Sequence, residues 1–205
     1  MKKKSLFTML GALALVGSIG VGSTLAYLSS TTAVMTNTFS VGKVSVTQDE
    51  SDESTSDDKT DRTTTGNTYT DITPGDKLVK DPTATVVANS ADCYVFMQLS
   101  GADELAAQNF TFNGFDSTKW IKVADEDNNT ATPYDGVYRY ASIVTKSATD
   151  TKLPALFNEV VYSIDATELA ANVTLSDVTV KTCAVQADNM TAATALTAAQ
   201  TEMAK

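Results

Sequence analysis

The chain has 205 residues, with 25 acidic against 15 basic side chains, no histidine and a formal charge of −10. That length supports one domain with appendages, and that charge argues against nucleic-acid partners, whose phosphates need basic neutralisation. Without histidine there is no zincin site, no Ser-His-Asp triad and no Cys-His pair, and two cysteines are too few for a disulfide scaffold.

Lys2, Lys3 and Lys4 form a basic head before an apolar run, Ser5 to Val21, broken by Gly11, Gly17 and Gly20. Thr24-Leu25-Ala26 puts small residues at the exit, so the pattern predicts a secretory signal peptide over 1–26, cut between Ala26 and Tyr27. A retained anchor is the competing reading, because the run is near the length of a short span. The folded domain is expected over 27–189. Tyr27 to Thr36 reads as a frayed terminus, and Thr38 to Thr47 as a strand. Phe39 and Val41 share one face while Val44 and Val46 have the other parity, which predicts a bulge at Gly42. Residues 48–67 are Ser, Thr and Gly among many carboxylates, with Lys59 and Arg62 as the only cations, and predict a disordered acidic insert. As a calcium loop the insert lacks regular ligand spacing and a closing glycine.

Pro74-Gly75-Asp76 predicts a turn, with proline at its first corner and glycine at its second. Leu78 to Ala88 reads as one extended run, with Asp81-Pro82 near its start. Asn89 to Asp92 is a tight connection to a second run, Cys93 to Leu99. There Val95, Met97 and Leu99 alternate with Tyr94, Phe96 and Gln98 at the strand period. Gly101 to Ala107 predicts a short helical turn around Leu105. Phe110, Phe112, Phe115, Trp120 and Ile121 predict short aromatic strands around Asn113-Gly114.

Asp125 to Asn129 starts like a calcium loop, but Thr130 and Gly136 stand where its glycine and glutamate are needed, so a hairpin loop is expected. Val137 to Thr145 and Leu156 to Asp165 read as strands, the latter aligning Val160, Tyr162 and Ile164. Ala166 to Ala171 reads as a short helix or turn. Val173 to Gln186 is the last strand, with Val178 and Val180 on one parity and Cys183 and Val185 on the other, which predicts a second bulge. Two readings of Cys93 and Cys183 stand: small core hydrophobes, or a disulfide permitted by export. In 190–205, Ala193, Leu196, Gln200 and Met203 recur at helical spacing and predict a weak terminal helix or tail.

This is an all-β pattern with short helices, and it fits a jelly-roll-like β-sandwich and an immunoglobulin-like one equally. The segment Pro74-Gly75-Asp76-Lys77, then Lys80-Asp81, two extended runs joined by an Asn-Ser turn, and the terminal Gln186-Ala187-Asp188 resemble the TasA/camelysin family of secreted Gram-positive proteins. Ala26-Tyr27-Leu28 and Asn37 to Gly42 resemble the start of the same family. The resemblance implies a jelly roll, cleavage by a dedicated signal peptidase of the SipW type, and a biofilm-matrix fibre subunit. It further implies assembly by N-terminal strand donation, for which Leu28, Val34, Met35, Phe39 and Val41 are the apolar anchors. The insert 48–67 departs from the family, whose link at this point is shorter.

The expected function is therefore a secreted structural protein of the extracellular matrix or cell surface, without cofactor or metal. Its partners are further copies of itself and an accessory matrix protein, with no membrane attachment after cleavage. The alternatives are a camelysin-like surface metalloprotease, disfavoured by the missing histidine ligands, and a binding module for carbohydrate or a host protein.

Overall fold

The computed structural model describes residues 43–53, 61–124, 132–165 and 174–205. All of these lie in one unit, Val41–Lys205; the other unit, Met1–Ser40, falls wholly outside the described residues. So do the cleavage site at Ala26 and Tyr27, the anchors Leu28, Val34, Met35, Phe39 and Val41, the bulge expected at Gly42, the loop 125–131 and the turn expected over 166–171.

The described chain is mostly β. Its strands are β1 (Val46–Ser51), β2 (Arg62–Thr63), β3 (Lys77–Val79), β4 (Thr83–Val86), β5 (Cys93–Ser100), β6 (Phe110–Asn113), β7 (Trp120–Ala124), β8 (Gly136–Tyr140), β9 (Thr151–Lys152), β10 (Glu159–Tyr162) and β11 (Thr179–Gln186). Two helices accompany them, α1 (Ala102–Ala106) and α2 (Ala192–Met203). The strands form three sheets, ordered β2-β1-β4-β9, β3-β10-β6 and β11-β5-β8-β7, and every pairing is antiparallel.

β5 is the axis of the largest sheet. Its alternation does not separate a wet face from a dry one: Cys93, Val95, Met97 and Leu99 enter the main core, and Tyr94 and Phe96 enter a second apolar layer. That second layer is roofed by Ala195, Ala199 and Met203 of α2. The expected helix is therefore present, and Met203 and the half-buried Leu196 face the layer as predicted, but Ala193 and Gln200 are exposed and Ala195 and Ala199 are buried in their place. Small alanines let the helix axis approach the sheet. Thr191 caps its start, accepting the Thr194 N–H at 3.2 Å, while the Thr194 hydroxyl accepts the Thr191 N–H at 3.0 Å.

β11 pairs with β5 without interruption from Thr179↔Ser100 to Gln186↔Cys93, so the second bulge does not exist. Its parity switch has another cause. Val180 and Ala184 face the main core, Cys183 and Val185 face the α2 layer, and a strand buried on both sides needs no shift of register to bury both sets.

The Pro74-Gly75 turn forms as its residues require. Asp76 N–H donates to the Thr73 carbonyl at 3.1 Å, and Gly75 takes φ +97°, a region that a β-carbon makes costly. The Asp76 carboxylate in turn accepts the Thr73 N–H at 2.7 Å. The run 78–88 is not one strand. Lys80-Asp81-Pro82 carries the chain from β3 in one sheet to β4 in another, with Pro82 fully buried at the crossing. The Asn-Ser connection is likewise a crossover between sheets, not a hairpin, since β4 and β5 do not pair.

The aromatic segments pack as a cluster. Phe110 stacks on Tyr162 at 4.5 Å between centroids, and Phe112 meets Phe157 edge-on at 5.4 Å, geometries that add to plain area burial. Val160 and Tyr162 are buried as expected, but Ile164 lies past the end of β10 and is 78% exposed.

Candidate functional site

The region expected to be a disordered insert holds the polar centre of the described structure. Gln48 to Ser51 complete β1, Arg62 and Thr63 form β2, and the two strands pair through Glu50↔Thr63 and Ser51↔Arg62. Only 54–60 of the insert lies outside the described residues. The physical reason is charge pairing. Arg62 meets Asp49 at 2.7 Å and Asp81 at 2.5 Å, and Asp81 also accepts the Ser51 N–H at 2.6 Å and the Ser51 hydroxyl at 3.0 Å. Burial works to lower the Arg62 pKa, but its hydrogen bonds to Asp81 and Asp49 outweigh that and leave it raised.

Lys80 makes the second link, 2.9 Å from Glu50. The other oxygen of Glu50 accepts from the Asn67 carboxamide at 3.1 Å. That carboxamide also donates to the Ser51 carbonyl at 2.7 Å and accepts the Glu53 N–H at 2.9 Å. The motif residues Lys80 and Asp81 thus clamp the β1–β2 hairpin to the chain that follows the turn. Tyr69 stands alongside, its hydroxyl donating to the Val79 carbonyl; burial first, then the nearby Glu50 carboxylate, hold its phenol well above the usual range.

Around this network lies a cleft of 410 Å³ with an apolar floor that includes Leu78, Leu105, Phe110 and Val160. Its walls are two segments outside any strand, 65–69 and 175–178. A smaller hollow of 240 Å³ continues it past Lys80 to Gln48 and Val180.

That hollow ends at the outer edge of β11. Peptide groups of an antiparallel strand alternate between its two sides. Ala187 N–H donates to the Asp92 carbonyl, so the odd-numbered residues of β11 bond β5, and Val180, Thr182, Ala184 and Gln186 direct their peptide groups outward. Among the described residues no strand pairs with this edge. Gln48 crosses to its first half, donating to the Val180 carbonyl at 3.1 Å and accepting from the Thr182 hydroxyl. Beyond Thr182 the edge borders an open groove of 480 Å³ between Val44, Cys183 to Gln186 and the α2 residues Ala198, Thr201 and Glu202.

The groove also decides the cysteines. Both thiols are free. Cys183 is opposite Phe96 in the register and Cys93 is opposite Gln186, so they are offset by three residues, about 10 Å along the strands. They also point to opposite faces of the sheet, whereas a bridge needs Cα atoms within about 7 Å. The disulfide reading is therefore wrong, and burial pushes the Cys93 thiol up to about 11.

The remaining predicted positions divide. Pro74, Gly75 and Asp76 form the turn, and β3 begins at Lys77. Gln186 ends β11, and Ala187 and Asp188 lead on toward α2; none of the three shares a bond with the Lys80 network. Sequence reasoning missed Gln48, Glu50, Arg62 and Asn67. The available signal was Arg62, a lone guanidinium among carboxylates. Comparison with protein-family models, curated proteins and solved structures gives no match.

Proposed function

We propose that this chain is a secreted structural protein, a matrix-fibre subunit on a jelly-roll sandwich. In this reading the N-terminal segment of one copy, anchored by Leu28, Val34, Met35, Phe39 and Val41, pairs with the outer edge of β11 in the next. The observation that carries the reading is the edge itself: eight residues long, with no strand among the described residues on its outer side. Such an edge is a template for another chain unless it is guarded, and here Gln48 guards only its first half. Grooves at both ends leave space for side chains of an added strand, which supplies main-chain bonds for affinity and apolar anchors for register. The jelly roll is supported by the connections from β3 to β4 and from β4 to β5, each of which leaves one sheet for another. Donation from one copy to the next is a heterologous contact that does not close, so it yields filaments.

The test compares a chain starting at Tyr27 with one starting at Lys43, whose carbonyl still accepts the Ala91 N–H. Electron microscopy of the concentrated proteins should show filaments for the first alone. Equal filament formation by both, or by neither, overturns the reading.

A further inference from the structure

We propose that Lys80 and Asn67 join in an intramolecular amide bond, with Glu50 carrying the protons. The argument is independent of the assembly reading and rests on three side chains that converge from separate segments. Glu50 is on β1, Asn67 follows β2, and Lys80 lies between β3 and β4. One carboxylate touches both reacting groups: Oε2 is 2.9 Å from the Lys80 Nζ, and Oε1 accepts from the Asn67 Nδ2 at 3.1 Å. A simple ion pair requires no carboxamide, and a simple structural amide requires no lysine on the same carboxylate.

The carboxamide is held at both ends. Its Nδ2 is fixed between Glu50 and the Ser51 carbonyl, and its Oδ1 accepts the Glu53 N–H at 2.9 Å. That N–H lies where charge develops on the oxygen during attack at Cγ, which is the role of an oxyanion donor. The Lys80 and Glu50 side chains are only 13% and 8% exposed, so water competes poorly for the proton that passes between them. Holding the amine and the carboxamide on the two oxygens of one carboxylate lowers the entropic part of the barrier.

The balance closes without a co-reactant. Glu50 takes a proton from the Lys80 ammonium, and the amine attacks the Asn67 Cγ, forming the Nζ–Cγ bond and placing the electron pair on Oδ1. Glu50 hands the proton to Nδ2, the carbonyl re-forms, and the Cγ–Nδ2 bond breaks. The second proton shed by Nζ follows through Glu50, so the nitrogen departs as ammonium and Glu50 ends ionised. The product is a ring closed through the Pro74-Gly75 turn, which ties the polar centre covalently to the turn.

The test is the intact mass of the purified protein, with tandem mass spectrometry of its tryptic digest. The expected result is a mass one ammonia below that of the sequence. The digest should hold a branched peptide in which Thr63–Lys77 is joined to a chain starting at Leu78 and uncut at Lys80. Lys80→Arg, Glu50→Gln and Asn67→Ala, each checked for native circular dichroism, should all show full mass. Full mass in the unaltered protein overturns the proposal. A succinimide at Asn67-Thr68 also loses ammonia; it is recognised because it survives Lys80→Arg and is cleaved by hydroxylamine, and finding it overturns the proposal too.

Discussion

Arg62 shows how much one side chain organises here. It binds Asp49 and Asp81, and Asp81 in turn holds the Ser51 N–H, so Asp81→Ala takes one of the two carboxylates from Arg62 and leaves the Ser51 N–H without its acceptor. A loss of about 2 kcal/mol is expected, since hydrogen bonds to charged groups are each worth roughly 1.5–3 kcal/mol; urea denaturation measures it. The one signal in the sequence was Arg62 itself, which among Ser, Thr and Asp read like any cation on a solvated loop. Its partner Asp81 is brought to it only by the pairing of β1 with β4, a non-local event. The Pro74-Gly75 turn was legible because its causes are local: a ring that fixes φ and a residue without a β-carbon. Cys93 gives a pH test. Its thiol titrates at about 11 against an ordinary 9.0 because it is buried. The unfolded state therefore loses its proton first, and the stability contributed by the neutral thiol falls as pH rises from about 9 to 11. Denaturation midpoints across that range should fall more steeply for the unaltered protein than for Cys93→Ala.

Among the elements, β5 and β11 explain which patterns could be read and which misled. Alternation located both strands, but it also suggested a bulge in β11, because one-sided burial was assumed. The cover of the second face lies in α2, whose alanine-rich sequence gave no strong hydrophobic stripe to reveal it. α2 closes the second apolar layer with Ala195, Ala199 and Met203. Met203→Ala should cost about 2 kcal/mol, the low end for a buried methionine, and ending the chain at Asn189 should expose Tyr94 and Phe96 to a hydrophobic dye. The α1 end supplies a second test. Gly101 has φ +82°, and a β-carbon there would lie 2.1 Å from the Asp177 carbonyl. Gly101→Ala should therefore destabilise by on the order of 2–4 kcal/mol and displace the cleft wall at 175–178, seen as faster amide exchange in that segment.

At the scale of the whole molecule, the described residues form three antiparallel sheets that bury one large core and leave a long strand edge at their margin. The β class followed from short alternating runs between turn residues; the partition into three sheets did not, because nothing local says that β4 leaves β3 for β1. The central claim concerns the outer edge of β11, and amide hydrogen exchange in assembled against monomeric protein tests it most directly. In filaments the amides of Val180, Thr182, Ala184 and Gln186 should become protected, while those of Lys181, Cys183 and Val185, already bonded to β5, change little. Filaments in which the four outward amides exchange as fast as in the monomer would contradict the account.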